Sequence, residues 1–252
     1  MGCISPWNLP LYLFTWKIAP ALAAGNCVLA KPSEVTPYTA FLLAELCSKA
    51  GLPKGVLNIV NGLGSSTGQA IVEHPNIKAI SFTGGTKTGA HISRTAAPLF
   101  KKLSLELGGK NPNIIFADCD YDKMLTTTVK SAFANQGQIC LCGSRIFVEA
   151  RIYEQFKTDF VKKVKQLKVG LPSKEDSDLG ALVSEDHLEK VLSYVEKAKQ
   201  EKMNILCGGE KLTIENGKNG YYMQPTIIEV SSNDCILNQE EIFGPIVTLM
   251  AF

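Results

Sequence analysis

The chain has 252 residues, of which 45% are hydrophobic and 20% are charged, and its formal net charge is +2. This composition is that of an ordinary globular protein, and the length suits one large domain or two modest ones. Because the charge is near zero and the basic residues are spread along the chain, we expect a small-molecule partner and no nucleic acid.

The cysteines and the apolar N-terminal segment indicate the compartment. Eight cysteines lie at irregular positions, with no signal-peptide pattern before them. Free thiols of this kind are typical of a reducing environment, so we expect a cytoplasmic protein. Residues 9–30 are apolar, but Lys17 and Pro20 interrupt them and no basic segment precedes them. The sequence therefore predicts a core segment and no membrane association.

The first hundred residues predict strands that alternate with helices. The predicted strands are 2–5, 27–31, 55–60, 79–82 and 102–106, and the predicted helices are 12–24, 36–50, a short one ending near 74, and 90–97. Thr36 and Pro37 are the expected N-cap and first turn of the second helix. A turn from Thr83 to Gly89 is expected to open the last one. This alternation favours an α/β fold with a doubly wound, Rossmann-like parallel sheet, which binds ligands outside the carboxyl ends of its strands.

The pattern restarts after Gly108-Gly109. Strands are predicted at 112–116, 144–148, 221–228 and 246–252, with helices at 121–135, 153–167 and 185–201. We therefore expect a cofactor-binding domain over 1–108 and a second, truncated α/β domain over 109–252. A chain that begins and ends on apolar strands looks like a segment of a longer protein. Its open strand edges predict poor solubility.

Two short stretches carry candidate chemistry. The stretch from Phe133 to Arg145 predicts a reactive cysteine, Cys140, on a tight turn between a helix and a strand, where scaffolds often present catalytic groups. Cys142 would form a Cys-x-Cys pair with it. No second Cys/His pair has zinc-ligand spacing, so we expect no metal and interpret Cys142 as a packing neighbour. The other stretch places Glu106 at the end of an apolar strand, where a carboxylate is costly to bury unless it has a use.

These stretches resemble the active-site motifs of NAD(P)-dependent aldehyde dehydrogenases. One motif is Asn-Gln-Gly-Gln-Ile-Cys at 135–140 with a small-residue turn and Ser-Arg after it, and the other is Leu-Glu-Leu-Gly-Gly-Lys-Asn-Pro at 105–112. Further matches in the family's order are Pro-Trp-Asn at 6–8, Lys-Pro-Ser-Glu at 31–34, Phe-Thr-Gly-Gly-Thr at 82–86 and Glu-Glu-Ile-Phe-Gly-Pro at 240–245. Any one of these motifs is weak alone, but together they are highly specific.

The resemblance implies three catalytic roles. Cys140 would be the nucleophile that adds to the aldehyde. The Asn8 side chain and the Cys140 backbone N–H would stabilise the resulting oxyanion, and Glu106 would activate the water that hydrolyses the thioester. The simpler alternatives are a buried structural cysteine, an Asn8 that caps the helix after it, and a salt-bridged Glu106.

The resemblance also implies NAD as the cofactor. Lys31 and Glu34 would bind the adenosine ribose, and Glu34 would repel a 2′-phosphate, which favours NAD over NADP. The glycines of the turn, Gly84, Gly85 and Gly89, would let the backbone approach the pyrophosphate near a helix N-terminus. Gly85 stands where the family usually has serine, so one hydroxyl contact to phosphate is lost.

The remaining cofactor residues implied by the resemblance are Trp7, Leu107, Glu241 and Phe243. For Glu241 and Phe243 the alternative is a capped turn before the last strand. His187 and Lys190 lie one helical turn apart, and we interpret them as a solvated helix face rather than as cofactor contacts.

The implied reaction is oxidation of an aldehyde to a carboxylic acid through a cysteine thiohemiacetal and a thioester. The Ile-Cys-Leu-Cys turn most resembles the branch of the family that acts on 2-aminomuconic 6-semialdehyde. The match covers roughly half of a typical family member, and the strands used for homo-oligomerisation are expected to be missing. Two other classes stay open: a truncated, inactive nucleotide binder, and a CoA-acylating or esterase relative, although Glu106 argues against CoA acylation.

Overall fold

The structure is a computed structural model, and it describes residues 1–215, 217 and 220–252. The chain divides into two compact units, Met1–Gly108 and Gly109–Phe252. Each unit has its own sheet and core, and the two are described separately below. What each unit binds stays a prediction.

The first unit is a doubly wound parallel sheet. Its strands and helices are β1 (Gly2–Ile4), α1 (Pro10–Ala23), β2 (Val28–Lys31), α2 (Tyr38–Lys49), β3 (Leu57–Ile59), α3 (Gln69–Glu73), β4 (Ala79–Thr83), α4 (Thr86–Ala96) and β5 (Lys102–Glu106), with a π-helical turn over Gly64–Gly68. The strands pair in the order β3-β2-β1-β4-β5, all parallel. The predicted α/β, Rossmann-like fold class is confirmed. The chain reverses its direction across the sheet between β1 and β4, where such sheets form a ligand crevice.

Alternating side chains of the strands explain why helices cover both faces of this sheet. Successive residues of β1 point to opposite faces, so Cys3 packs with Phe14 of α1 and Ala40 of α2. Ile4 packs on the other face with Ile71 of α3 and Ile92 of α4. Strands buried on both faces read as continuous apolar runs, which is what the sequence has at these positions.

Two local predictions in this unit were wrong. The N-cap position of α2 is Pro37, and the Thr36 hydroxyl donates to the Trp7 carbonyl at 3.4 Å instead of capping the helix. The predicted turn from Thr83 to Gly89 is shorter, because α4 begins at Thr86 with Gly85 at the N-cap. Gly89 lies in the first helical turn, and its N–H donates to the Gly85 carbonyl at 3.0 Å.

The second unit is a mixed sheet with helices on both faces. Its elements are β6 (Pro112–Ile115), α5 (Tyr121–Phe133), β7 (Arg145–Val148), α6 (Tyr153–Val164), α7 (Glu185–Gln200), β8 (Asn204–Cys207), β9 (Lys211–Leu212), β10 (Tyr222–Met223), β11 (Thr226–Glu229), α8 (Ile236–Gln239) and β12 (Ile246–Ala251). The sheet order is β6-β7-β12-β11-β8, with β8 antiparallel to its neighbour. Phe133 and Phe160 pack on one face and Leu188 and Val195 on the other.

The single strand predicted over 221–228 is two strands, β10 (Tyr222–Met223) and β11 (Thr226–Glu229), so its predicted continuity was wrong. Pro225 has no N–H to donate and interrupts the run. Before it, β10 pairs with β9 in a separate two-stranded sheet, and after it β11 enters the main sheet. Strand β8, strand β9 and helix α8, which have two to four residues each, were not predicted.

Candidate functional site

The first unit has a cavity of about 790 Å³ at the carboxyl edge of its sheet. Five predicted cofactor residues line it together: Trp7, Lys31, Glu34, Gly84 and Gly85. The cavity lies beside the ends of β1, β2 and β4 and the start of α4, which is the expected place for a ligand in a doubly wound sheet. Its volume is in the range of roughly 300–1,000 Å³ that is usual for ligand sites.

Lys31 and Glu34 form an ion pair in this cavity. The Lys31 side chain is only 2% exposed, and its Nζ donates to the Pro32 carbonyl at 2.9 Å and to Glu34 Oε2 at 3.0 Å. Desolvation acts to raise the pKa of Glu34, but hydrogen bonds from its own backbone, from Lys31 and from Gly64 outweigh it, so the pKa is lowered. Glu34 is therefore held as a carboxylate that accepts hydrogen bonds.

The start of α4 offers open backbone to a ligand. A Cβ added at Gly85 would meet nothing within 4 Å, and its φ of −66° suits any residue. Gly89 and Leu107 do not line the cavity. A Cβ at Gly89 would lie 2.4 Å from Leu107 Cδ2, so the two pack against each other. Glycine is needed at 89 for this close approach, whereas at 85 the space accepts a side chain.

Several cavity residues were missed by the sequence analysis. Lys87, His91 and Arg94 line the cavity from α4, and His91 Nε2 lies 2.7 Å from Gln69 Oε1 on α3. Their spacing of four and three residues along α4 was a readable signal for a shared face. Gln69 had no such signal, because its proximity to His91 depends on how α3 and α4 pack.

Glu106 lines a different cavity of the first unit, of about 330 Å³, together with Lys17. Glu106 is exposed at the end of edge strand β5, so the expected partial burial is not found. Lys17 is 4% exposed, and its Nζ donates to Thr83 Oγ1 at 2.6 Å. Desolvation lowers the pKa of Lys17, while the Cys3 and Glu106 charges act in the opposite direction. In the sequence alone, Lys17 is visible only as an interruption of an apolar run.

Trp7 and Asn8 are half-buried just after β1. The N-cap position of α1 is Leu9, and Pro10 begins the helix. Asn8 is therefore one residue too early to be the cap, and the alternative that it merely caps α1 is wrong.

In the second unit, Cys140 follows a segment of unusual backbone. Helix α5 ends at Phe133 because Asn135 and Gln136 adopt left-handed φ angles of 49° and 56°. Gly137 follows with φ +71°, and a Cβ there would lie 2.1 Å from the Gly244 carbonyl oxygen. Backbone strain of this kind is concentrated at functional sites.

The two cysteines of the turn have different environments. Cys140 is half-buried, and within the described part of the chain its backbone N–H forms no hydrogen bond. Cys142 is 7% exposed, and burial raises its pKa to about 11. An inert, protonated thiol is expected at 142, whereas the thiol at 140 is accessible.

Cys140, Glu241 and Phe243 line one crevice of about 20 Å³, room for about one water molecule. Glu241 Oε1 accepts a hydrogen bond from the Gly109 N–H at 3.4 Å. Phe243 has a left-handed φ of 62°, and its carbonyl lies 2.7 Å from His187 Nε2. Desolvation lowers the pKa of His187, although this contact opposes the shift.

The interpretation of His187 as part of a solvated face was therefore wrong, because its ring is half-buried against Phe243. Lys190, one turn further along α7, is exposed as expected.

The described residues contain neither a cluster of metal ligands nor a helix of membrane-spanning length. No group of three or more His, Cys, Asp or Glu side chains among them is arranged to hold a metal ion. None of the helices they form is long and apolar enough to cross a membrane.

Comparison with known proteins gives one consistent result. The family model described as the aldehyde dehydrogenase family matches residues 1–252. The chain is 53% identical over 253 residues to 2-aminomuconic semialdehyde dehydrogenase of Bos taurus, covering 99% of this chain and 52% of that protein. It is 49% identical over 254 residues to 2-aminomuconic 6-semialdehyde dehydrogenase of a Pseudomonas species, with 100% and 52% covered.

Among solved structures, betaine aldehyde dehydrogenase of Staphylococcus aureus in complex with NAD+ superposes with a TM-score of 0.96 at 40% identity. The superposition covers 100% of this chain and 50% of the staphylococcal one. The chain thus spans about half the length of the curated relatives that it matches. On these matches, the chain belongs to the aldehyde dehydrogenase family.

Proposed function

We propose that this chain takes part in the NAD-dependent oxidation of an aldehyde to a carboxylic acid, with Cys140 as the nucleophile. The observation that carries the proposal is the difference between the two cysteines of the turn. Cys140 is accessible and lines a crevice with Glu241 and Phe243, whereas Cys142 is buried with a raised pKa. The sequence alone offers two thiols two residues apart, and their environments favour one of them.

The chemistry needs a nucleophile, an oxyanion donor and a base. Attack by the Cys140 sulfur on the carbonyl carbon forms a C–S bond and moves charge to the oxygen, giving a thiohemiacetal. The Cys140 N–H, which has no partner among the described residues, is available to donate to that oxygen, and the resemblance gives Asn8 as the second donor. Glu106, exposed at a strand end, would accept a proton from the water that hydrolyses the thioester.

NAD is the proposed cofactor of the first unit, and the cavity residues fit it. The paired Glu34 carboxylate accepts hydrogen bonds, as ribose hydroxyls require, and Lys31 holds it in place. Open backbone at Gly85, beside the start of α4, suits a pyrophosphate. When bound, NAD would supply the hydride acceptor. Unit 1–108 is thus the proposed cofactor-binding domain, and 109–252 is proposed as the part that bears the nucleophile.

For the substrate, we propose 2-aminomuconic 6-semialdehyde. The support is the identity of about half of all aligned residues with two relatives named for this aldehyde, from Bos taurus and Pseudomonas. Oligomer formation and a cytoplasmic location remain proposals that rest on the family.

The test measures NADH formation by the purified chain with NAD+ and a panel of aldehydes that includes the semialdehyde. Cys140→Ala is expected to abolish turnover, and the matched variant Cys142→Ala to retain it. NAD+ binding is followed separately through tryptophan emission, because Trp7 lines the cavity. Turnover that survives in Cys140→Ala, or a folded wild type that forms no NADH, would contradict the proposed activity. Ester hydrolysis that depends on Cys140 without NADH would favour the esterase alternative.

A further inference from the structure

The Asn111 side chain forms hydrogen bonds to the turn that contains Cys140 and Cys142, although Asn111 itself lies outside this turn. Its Nδ2 donates to the Cys140 carbonyl at 2.5 Å and to the Cys142 carbonyl at 3.3 Å. Carbonyl oxygens only accept hydrogen bonds, so the amide nitrogen has to face the turn. One side chain thereby holds the Cys140–Leu141 and Cys142–Gly143 peptide groups. Leu141 between them is 79% exposed and gives the turn little packing.

Asn111 is itself held firmly. It directly precedes β6, whose register with β7 places Pro112 opposite Arg145. The Arg145 N–H donates to the Asn111 carbonyl at 3.2 Å, and Arg145 Nη2 donates to the Lys110 carbonyl at 2.7 Å. The amide therefore projects from a backbone that is fixed to the sheet, while the turn it contacts lies in a loop.

The hydrogen bonds within the turn leave the peptide group between Cys140 and Leu141 dependent on Asn111. The Cys142 N–H donates to the Ile139 carbonyl at 3.1 Å, and the Cys142 carbonyl also accepts from the Ser144 N–H at 2.9 Å. Among the described residues, the Cys140 carbonyl accepts no hydrogen bond other than the one from Asn111. Without the amide, the peptide between Cys140 and Leu141 would be free to rotate.

We propose that Asn111 is a positioning residue, which fixes the backbone of Cys140 by donating to the Cys140 carbonyl. It thereby holds the Cys140 thiol in position to attack and the neighbouring N–H groups in position to donate to the oxyanion. The inference rests on the proposed role of Cys140 as nucleophile. Donors to a developing negative charge work only when they are held in place beforehand. Asn111 is anchored to the sheet, and its two hydrogen bonds restrain a turn that has few contacts of its own.

A packing role for Asn111 would give a different pattern among variants. If its donors matter, reactivity of Cys140 should follow the number of hydrogen-bond donors, in the order Asn, Ser, Ala, Asp. Aspartate has the shape of asparagine but presents a carboxylate to two carbonyl oxygens, so it should be worst. If only volume matters, Asp should match Asn, and Ser and Ala should follow.

The experiment measures alkylation of the full chain by iodoacetamide and quantifies the Cys140 peptide by mass spectrometry. The exposed Cys27 serves as internal reference in each sample. In Asn111→Ala, Cys140 is expected to be alkylated about tenfold more slowly relative to Cys27, the loss that one or two ordinary hydrogen bonds would give, and in Asn111→Asp more slowly still. Asn111→Ser is expected to be intermediate, because its hydroxyl donates once.

Asn113→Asp is the matched control. Asn113 lies on β6, two residues after Asn111, but its Nδ2 donates to Thr128 Oγ1 at 3.2 Å and not to the turn. The Cys140 rate should therefore stay at the wild-type value. Rates that follow side-chain volume, that do not change, that rise in Asn111→Ala, or that fall equally in Asn113→Asp would overturn the proposal. Alkylation needs neither cofactor nor aldehyde, so a failure of the dehydrogenase reaction would be seen separately.

Discussion

Replacing Gly137 by alanine tests how closely the segment before Cys140 is packed. The residue has φ +71°, and an added Cβ would lie 2.1 Å from the Gly244 oxygen and 2.6 Å from the Gly244 carbonyl carbon. Both contacts are with backbone, so no side chain can rotate away. Either the Asn135–Gly137 segment or the Gly244–Pro245 segment has to move.

Two effects add in the expected destabilisation. Left-handed backbone costs a residue with a Cβ about 1 kcal/mol. Forcing a methyl group into a filled space costs a further 1–3 kcal/mol or so, which gives about 2–4 kcal/mol in all. Gly209→Ala is a control in the same unit, with φ +89° and a nearest atom, Val195 Cγ1, at 3.2 Å. It should lose about 1–2 kcal/mol, because mostly the backbone strain applies.

The assay is a urea titration of both variants followed by far-UV circular dichroism. Both tryptophans, Trp7 and Trp16, belong to the first unit, so their fluorescence reports on that unit while circular dichroism reports on both. Gly137→Ala should unfold at lower urea than Gly209→Ala and should alkylate Cys140 at a changed rate. Equal midpoints for the two variants would refute the reasoning, since they would mean that the contact with Gly244 carries no energy.

Three further outcomes are expected. Gly85→Ser should tighten NAD+ binding several-fold, as measured by calorimetry. The open space at 85 admits a hydroxyl that can donate to phosphate and cap α4. Unchanged affinity would argue against a pyrophosphate there. Burial lowers the pKa of His187 from 6.5, so the unfolded chain binds protons that the folded one does not. Stability should therefore fall as the pH decreases below about 6.5, and His187→Gln should flatten this slope in urea titrations from pH 7 to 5.5. Phe100 is 94% exposed and has a left-handed φ of 51°, a conformation that glycine adopts without strain. Phe100→Gly should therefore raise the free energy of unfolding by about 0.5–1 kcal/mol, and a loss of stability would contradict this.

The sequence predicted those elements whose signals are local. Strand β5 has the predicted bounds Lys102–Glu106, because its apolar alternation ends at two glycines. The run 221–228 looked equally continuous, but its two parts pair with different strands, with β9 before Pro225 and with β12 after it. Helix α5 ends at Phe133, two residues before its predicted end, because Asn135 adopts a left-handed φ that the sequence does not reveal.

The candidate site was predictable to the extent that motifs name residues. The motifs gave Lys31 and Glu34 but not their ion pair, and they could not tell how accessible Cys140 is compared with Cys142. Accessibility depends on what packs over the turn, which a linear pattern does not encode. The contact of Asn111 with the Cys140 carbonyl was hidden for the same reason, since 29 residues separate the two along the chain.

The place of β12 in the second sheet has a consequence for how this protein is made. This strand, Ile246–Ala251, lies in the middle of the sheet and pairs with both β7 and β11. Until a ribosome has released these residues, β7 and β11 each present an open edge to other chains. In the first unit, by contrast, the central strand β1 precedes the other four strands along the chain. We therefore expect the sheet of 1–108 to assemble as its strands are made, whereas the sheet of 109–252 stays open until β12 is available.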